Sequence, residues 1–319
     1  MQLGERKWLF AVLTATMLWG CLGFFSRSLQ DYGMGTMDIV TVRLVVCTIG
    51  LVVVLGIFRR DQLKVRRKDM IFFVLVGAAK FLCTATIFQA QTHGHIPLSL
   101  STVLQMTSPY YVMVFAFFLF DEKITRTKVF SVCLAFLGCI IVSGVLTDDG
   151  AVRLVGVVLS LASALFLSIN VIGAKVSIGK GYTPATYVLY SNLFAALISL
   201  PFADFGTIAD TASGGIGPAA DMLILGIGIT MVPYFLEASS LKHLEAAEVS
   251  LVGMMEIVFA SIVGYFAFGE SMTAISFVGV LMIVASLAIM ELHHNREHPK
   301  ADVQPPRRPR DMYSSHLPP

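Results

Sequence analysis

Two ionisable side chains lie inside apolar stretches of the sequence, far from either end of the stretch. Lys80 lies near the middle of residues 70–90, and Glu256 lies near the middle of residues 246–268. A charged group at the centre of a bilayer costs at least ~3 kcal/mol on insertion scales unless it is paired or hydrated. We therefore interpret both as candidate binding groups, Glu256 for a cationic group or a coupling proton and Lys80 for an anionic group. The alternative is that the two form a structural ion pair.

A polar stripe lies on the fourth apolar stretch. Ser101, Gln105 and Ser108 recur at i, i+4 and i+7, which places them on one face of a helix. We expect this face to line a cavity opposite the face of the ninth stretch that carries Glu256. Small and weakly polar residues also occur where membrane helices pack together, so helix packing is the alternative. Pro109 follows the stripe and marks a helix kink.

Further ionisable residues lie near the ends of apolar stretches. Arg43 is about a turn and a half from an end, so its long side chain reaches the interface, and a substrate contact and a structural anchor fit it equally well. Glu237 and Glu248 lie where a carboxylate can reach water, and we interpret them as a gate or as solvated groups rather than as direct substrate contacts. Glu122 and Glu270 stand at helix-turn-helix corners, where a carboxylate can accept hydrogen bonds near the N-terminus of the following helix.

The elements that position these residues are long apolar helices. The chain has 319 residues, of which 56% are hydrophobic and 14% are charged, whereas a soluble domain carries about 25% charged residues. Each apolar run is long enough to cross a hydrocarbon core of roughly 30 Å as a helix. We predict an all-α integral membrane protein with ten transmembrane helices. The predicted spans are 8–25, 39–58, 70–90, 98–120, 129–146, 154–173, 184–203, 219–239, 246–268 and 272–292.

The basic residues predict the orientation of the chain in the membrane. Most of the 23 Lys and Arg residues fall in loops on one side if the N-terminus is cytoplasmic. The positive-inside rule then places both termini in the cytoplasm, which requires an even number of spans. Residues 293–319 are polar and basic, and we expect them to form a disordered cytoplasmic tail that touches anionic lipid.

The sequence contains an internal repeat. An offset of 148 residues aligns two five-helix halves without a gap. The matched pairs include His95 with His243, Met106 with Met254, Glu122 with Glu270 and Thr125 with Thr273. We divide the chain into a first repeat (1–148), a second repeat (149–292) and the tail. Because an odd number of helices per half gives the halves opposite orientations, we expect the inverted repeats typical of secondary transporters.

Several short motifs are typical of one family of membrane proteins, and one of them has a counterpart in the second half. They are Trp19-Gly20 and Arg43-Leu44 in the first two helices, Ser108-Pro109 followed by Glu122, and Glu256-Ile257 followed by Glu270. Over residues 7–292 these motifs resemble the EamA-type branch of the drug/metabolite transporter superfamily. Ile257 departs from its pattern, which usually has proline after glutamate, and Asp121 stands where glycine usually precedes the next glutamate. The resemblance implies a ten-helix transporter of small molecules, often an exporter of metabolites or toxic compounds.

Together these features predict a secondary transporter of the plasma membrane. We expect alternating-access export of an amino-acid-like or amphipathic metabolite, with a proton coupled through Glu256. The expected partners are a small-molecule substrate and membrane lipid, with no nucleic acid and no cofactor or metal, and the oligomeric state stays open. An intramembrane enzyme acting on lipid-linked substrates and a non-transporting membrane sensor are the alternatives. The sequence shows no catalytic constellation, which disfavours the enzyme.

Overall fold

The structure is a computed structural model that describes residues 3–92, 98–142, 154–269 and 274–297. Within these ranges the chain forms helices and short connections, with no strand. The helices are α1 (Leu3–Gly20), α2 (Leu22–Asp31), α3 (Thr36–Phe58), α4 (Met70–Thr92), α5 (Leu98–Gln105), α6 (Ser108–Phe120), α7 (Arg126–Val142), α8 (Leu154–Gly179), α9 (Pro184–Ser199), α10 (Phe205–Ser213), α11 (Ile216–Leu223), α12 (Val232–Ser240), α13 (Ala246–Gly253), α14 (Met255–Phe268) and α15 (Ala274–Glu297).

Eight helical segments are long and apolar enough to cross a membrane, judged by length and composition. They are Arg6–Asp31, Thr36–Phe58, Arg67–Gln91, Leu100–Phe120, Leu154–Gly179, Pro184–Phe202, Ile216–Ser240 and Ala246–Phe268. A shorter apolar helix covers Ala274–Met290. The fifth predicted span corresponds to α7, which has 17 residues. The chain is therefore a multi-pass membrane protein.

The surface of the bundle is as apolar as its interior. Phe10, Ile57, Phe118 and Phe266 are each at least 66% exposed, whereas polar side chains such as Asn192 are fully buried. In water this arrangement would leave a large apolar area exposed, which soluble proteins avoid. In a membrane the same arrangement is favourable. The exposed apolar side chains contact lipid, and the buried polar side chains find hydrogen-bond partners inside the protein, which lipid does not offer.

Two spanning segments are interrupted at matched positions. The helix breaks between α5 and α6 at Met106 and Thr107, and between α13 and α14 at Met254, the residue that the repeat pairs with Met106. Pro109 lies in the first turn of α6 and has no N–H to donate to the preceding turn, which accounts for the first break. The second break is present although Ile257 replaces the proline, so a break at this position does not require a proline ring.

The corners that follow these two segments share an unusual backbone conformation. Asp121 ends α6 at a φ of 56°, and its repeat partner Gly269 ends α14 at 65°. Both are left-handed helix C-caps, a conformation that glycine adopts without steric cost. The family's glycine at this position therefore has a physical reason, and Asp121 keeps the conformation at the expense of some strain.

Helices α7 and α15 form the most extensive helix pair of the described structure. They cross at Gly138 and Gly279. A Cβ on Gly138 would lie 2.7 Å from the Gly279 carbonyl oxygen, so neither position has room for a side chain. Close approach at small residues is the usual way in which helices associate in lipid, where dispersion contacts replace the hydrophobic effect.

Candidate functional site

A central cavity of about 290 Å³ lies between the two halves of the chain. Its lining includes the polar side chains of Arg43, Gln105, Ser108, Asn170, Glu237 and Glu256. Trp19 and Tyr234 add aromatic faces that contact each other edge to face, with ring centroids 5.2 Å apart. An apolar and aromatic wall with a few convergent polar groups is typical of a small-molecule site.

The cavity is open at one end of the bundle. Its lining extends to Gln30 at the end of α2, a residue that is exposed, and to Thr36 at the start of α3. These residues lie at the end of the bundle remote from the N-terminus of α1. By the predicted orientation this is the outer side of the membrane.

The charges in the cavity are divided between the halves. Arg43 comes from α3 in the first half, and the two carboxylates, Glu237 and Glu256, come from α12 and α14 in the second. No ion pair within 4 Å joins Arg43 to either glutamate in the described structure. Glu256 is nevertheless close enough to interact electrostatically with Arg43, and Glu237 with Glu256. A ligand that carries both a negative and a positive group can therefore contact the guanidinium and the carboxylates at the same time.

Arg43 is only partly satisfied by the protein. Its Nη2 donates to the Thr84 hydroxyl at 3.5 Å, the limit of a hydrogen bond, and its buried Nε has no partner among the described residues. The Arg43 guanidinium therefore keeps a donor that no described residue accepts. Guanidinium groups with available donors are suited to bind a carboxylate.

Lys80 lies behind the cavity wall rather than in it. The residue is 6% exposed, and its Nζ sits 3.3 Å from the centroid of the Tyr234 ring, a cation–π contact. The ion pair that we considered between Lys80 and Glu256 is not present in the described part of the chain. The charge of Lys80 does interact with that of Glu237, so it acts on the cavity from behind Tyr234.

The predicted polar stripe is divided by the structure. Gln105 and Ser108 line the cavity. Ser101 is fully buried and accepts a hydrogen bond from Gln91 at 2.9 Å, away from the lining residues. Ser101 and Gln105 both lie in α5, whereas Ser108 begins α6, so the predicted stripe crosses the helix break at Met106 and Thr107.

Glu237 and Glu248 differ in their positions. Glu237 lies in the last turn of α12, near a helix end as we expected, and it also lines the central cavity. A π-helical segment, Ile224–Met231, precedes its helix and alters the helical register, which sequence periodicity does not reveal. Glu248 stays at a helix end, where its carboxylate accepts a hydrogen bond from the Glu245 N–H in a capping box.

The end of the bundle opposite Gln30 is closed by a contact between the halves. Glu122 Oε1 pairs with Lys175 Nζ at 2.5 Å and accepts the Ala246 N–H at 3.1 Å. We call Glu122, Lys175 and the Ala246 N–H the closing contact. We expected Glu122 to serve the next helix in sequence, but Thr125 caps that helix, and Glu122 binds the N-terminus of α13 in the other half.

A second ion pair lies beside the closing contact. Lys128 pairs with Glu245, the residue that precedes α13. Burial raises the pKa of Glu245, and the ammonium of Lys128 opposes that shift. Both ion pairs therefore join the first half to the second, one at α8 and one at the start of α13. Glu270, the repeat partner of Glu122, lies outside the described residues, so our interpretation of it stays a prediction.

Several residues of the site were not predicted from the sequence. Asn170 and Tyr234 line the cavity, and Lys175 forms the closing contact. The sequence carried a signal for Lys175, because the repeat aligns it with a second basic residue, Arg27. In the structure both basic side chains lie over aromatic rings that the repeat also aligns, Phe120 for Lys175 and Phe268 for Arg27. For the other two, no pattern in the sequence indicates which way the side chain points.

Comparison with known proteins places these features in a family. A model of the EamA-like transporter family matches residues 6–144 and 154–292. A pseudopaline exporter, CntI, from Pseudomonas aeruginosa is 26% identical, with 76% of this chain and 82% of the relative covered. A threonine/homoserine exporter, RhtA, from Salmonella typhimurium is also 26% identical, with 79% and 81% covered. A solved crystal structure is similar at a TM-score of 0.74 and 15% identity, over 92% of this chain and 99% of that one.

Proposed function

Because the chain belongs to the EamA-like transporter family, we propose that it exports a small amino-acid-like metabolite by alternating access. It is a membrane transporter and not an enzyme. The observation that carries the proposal is the central cavity, which has separated opposite charges on its two walls, is open at one end and is closed at the other by an inter-half contact. Relatives named as a pseudopaline exporter and a threonine/homoserine exporter support the same direction of transport.

The charge pattern of the cavity suits a zwitterion. The carboxylate of the substrate binds the guanidinium of Arg43, and its ammonium group binds between Glu237 and Glu256. Such a ligand contacts both halves at once. Its binding therefore stabilises a conformation in which the halves approach each other around the cavity, which alternating access requires.

Transport also requires the closed end to open. In the ten-helix inverted-repeat arrangement that we propose, the halves rock against each other and the closing contact separates when the cavity faces the cytoplasm. Glu122 then loses both Lys175 and the Ala246 N–H. The order of events is substrate entry from the cytoplasm, re-formation of this contact, and release at the open end near Gln30.

Glu256 is the proposed site of the coupling proton. Its carboxylate lies in the cavity in the first turn of α14, close enough to Arg43 to interact with it. A proton and the substrate's ammonium compete for this carboxylate, so proton arrival from outside promotes release of the substrate. Lys80 contributes through Tyr234, whose ring it holds against the cavity.

The first experiment measures what cells export. Cells that produce wild-type protein, Arg43→Gln or Glu256→Gln at matched membrane abundance are compared by untargeted profiling of the medium. Arg60→Gln is the matched control, because Arg60 is exposed and lies in a loop remote from the cavity. A zwitterionic metabolite enriched by wild type and by the control, but not by the cavity variants, supports the proposal. Equal profiles from the wild type and the cavity variants refute it.

A further inference from the structure

The cavity wall contains a buried amide oxygen that has no partner. Asn170 lines the cavity, its residue exposure is 8%, and its Oδ1 accepts no hydrogen bond from the described residues. A buried acceptor left without a donor costs about 1–3 kcal/mol. An unpaired buried polar group in a folded protein calls for an explanation, such as a functional role.

The orientation of this amide follows from its neighbours. Asn170 Nδ2 donates to the Phe166 carbonyl at 2.8 Å. A carbonyl oxygen can only accept a hydrogen bond. Rotating the amide by 180° would therefore place the Oδ1 acceptor against the Phe166 carbonyl acceptor, so Oδ1 must be the amide atom without a hydrogen-bond partner. The Tyr187 hydroxyl donates to the Asn170 backbone carbonyl at 2.6 Å, which fixes the helix at this point.

A second amide in the same cavity is held in a similar way. Gln105 Nε2 donates to the Ser163 hydroxyl at 2.7 Å, and that hydroxyl donates its own proton to the Cys83 carbonyl at 2.7 Å. Because the Ser163 proton is used, the hydroxyl is the acceptor for Gln105. The Gln105 Oε1 atom is the part of this amide that stays available to a ligand in the cavity.

These two amides place two hydrogen-bond acceptors in the cavity wall beside its charged groups. Resting on the function proposed above, we propose that Asn170, assisted by Gln105, selects substrates whose side chain carries a hydrogen-bond donor such as a hydroxyl or amide N–H. An apolar side chain of equal size leaves the Asn170 oxygen unsatisfied. A site built to bond a donor discriminates against the analogue that lacks it.

L-Threonine and L-valine are the probes that test this proposal. Their side chains are close in size and differ in a hydroxyl against a methyl group. Binding is followed through the fluorescence of Trp19, which lines the cavity. The chain has two tryptophans, and Trp8 stacks on His243 outside the cavity, so the full-length purified Trp8→Phe protein reports on Trp19 alone.

The chain offers a matched control for Asn170. Asn192 has the same local geometry: its Nδ2 donates to the carbonyl four residues earlier at 2.7 Å, and its Oδ1 is buried without a partner among the described residues. Asn192 is not among the cavity-lining residues. Asn170→Leu and Asn192→Leu therefore remove equivalent amides, only one of which faces the cavity.

We expect threonine to bind the Trp8→Phe protein about tenfold more tightly than valine, the effect of one hydrogen bond. Asn170→Leu brings this ratio close to one and leaves valine binding unchanged or stronger, whereas Asn192→Leu keeps the ratio. Retained valine binding shows that the variant is folded. A ratio near one in the parent protein, or a ratio unchanged by Asn170→Leu, overturns the selectivity and leaves the zwitterion site standing. Failure of both amino acids to bind overturns the zwitterion site as well.

Discussion

Neutralising Glu122 should shift the protein toward the conformation that is open at the Glu122 end. The side chains of Glu122 and Lys175 are 8% and 19% exposed, so their ion pair lies mostly out of water. Removing one partner of a fully buried pair costs about 3–5 kcal/mol. Glu122→Gln keeps an acceptor for the Ala246 N–H, and Lys175 retains some access to water. We therefore expect a loss of roughly 1–2 kcal/mol from the closed state, which is about a tenfold shift in the equilibrium.

The shift can be measured through the native Cys83 thiol. Cys83 lines the cavity, so its rate of chemical labelling from the closed end reports how often that end opens. Cys21 and Cys133, the more accessible cysteines, are replaced by alanine. A membrane-impermeant thiol reagent is then added to vesicles from the side of the closing contact, and the rate of Cys83 labelling is measured. We expect Glu122→Gln and Lys175→Met each to increase this rate about tenfold.

The control for this assay is Lys180→Met. Lys180 directly follows α8 and, like Lys175, pairs with a carboxylate, that of Asp69, but it takes no part in the closing contact. It should leave the labelling rate unchanged. Equal rates in wild type, Glu122→Gln and Lys175→Met would show that the pair does not hold this end closed.

Three further predictions concern stability and are measured by thermal unfolding of the purified protein in detergent. Asp121→Gly should stabilise it by about 1 kcal/mol, because glycine adopts the left-handed C-cap without strain; a destabilised variant would refute this. Gly138→Ala should destabilise it by about 1–3 kcal/mol, since its Cβ would lie 2.7 Å from the Gly279 carbonyl oxygen; an unchanged melting temperature would contradict the close approach. Burial, and then the charges of Lys242 and Lys7, lower the pKa of His243 from 6.5. The folded protein therefore favours the neutral imidazole, and the stability that this provides is present above pH 6.5 and is lost as the pH falls below it. His243→Phe should flatten the dependence of the melting temperature on pH in this range.

The helical architecture could be read from the sequence because apolar runs of this length have few other solutions in a membrane. The repeat offset also paired the residues at which two helices break, Met106 and Met254. The break at Met254 itself was not predictable, because no proline accompanies it. Backbone irregularities that arise from packing leave no composition signal in a single sequence.

The candidate site was predictable in its charges but not in its geometry. An ionisable residue in an apolar run stands out, which identified Glu256 and Lys80, yet the sequence does not tell that Glu256 lines the cavity whereas Lys80 lies behind Tyr234. Glu237 was correctly placed near a helix end, but its position in the cavity lining was not predicted. Asn170 was not predicted, because the sequence does not show whether an amide inside an apolar helix faces a cavity or another helix.

The central claim is that charges from both halves bind one substrate and carry it across the membrane. Its most direct test is the flux of a labelled amino-acid mixture out of proteoliposomes that contain wild type, Arg43→Gln, Glu256→Gln or Arg60→Gln at equal protein content. We predict flux of at least one zwitterion in wild type and Arg60→Gln, and its loss in both cavity variants. Equal flux in all four proteins, or no flux of any zwitterion in wild type, would contradict the claim.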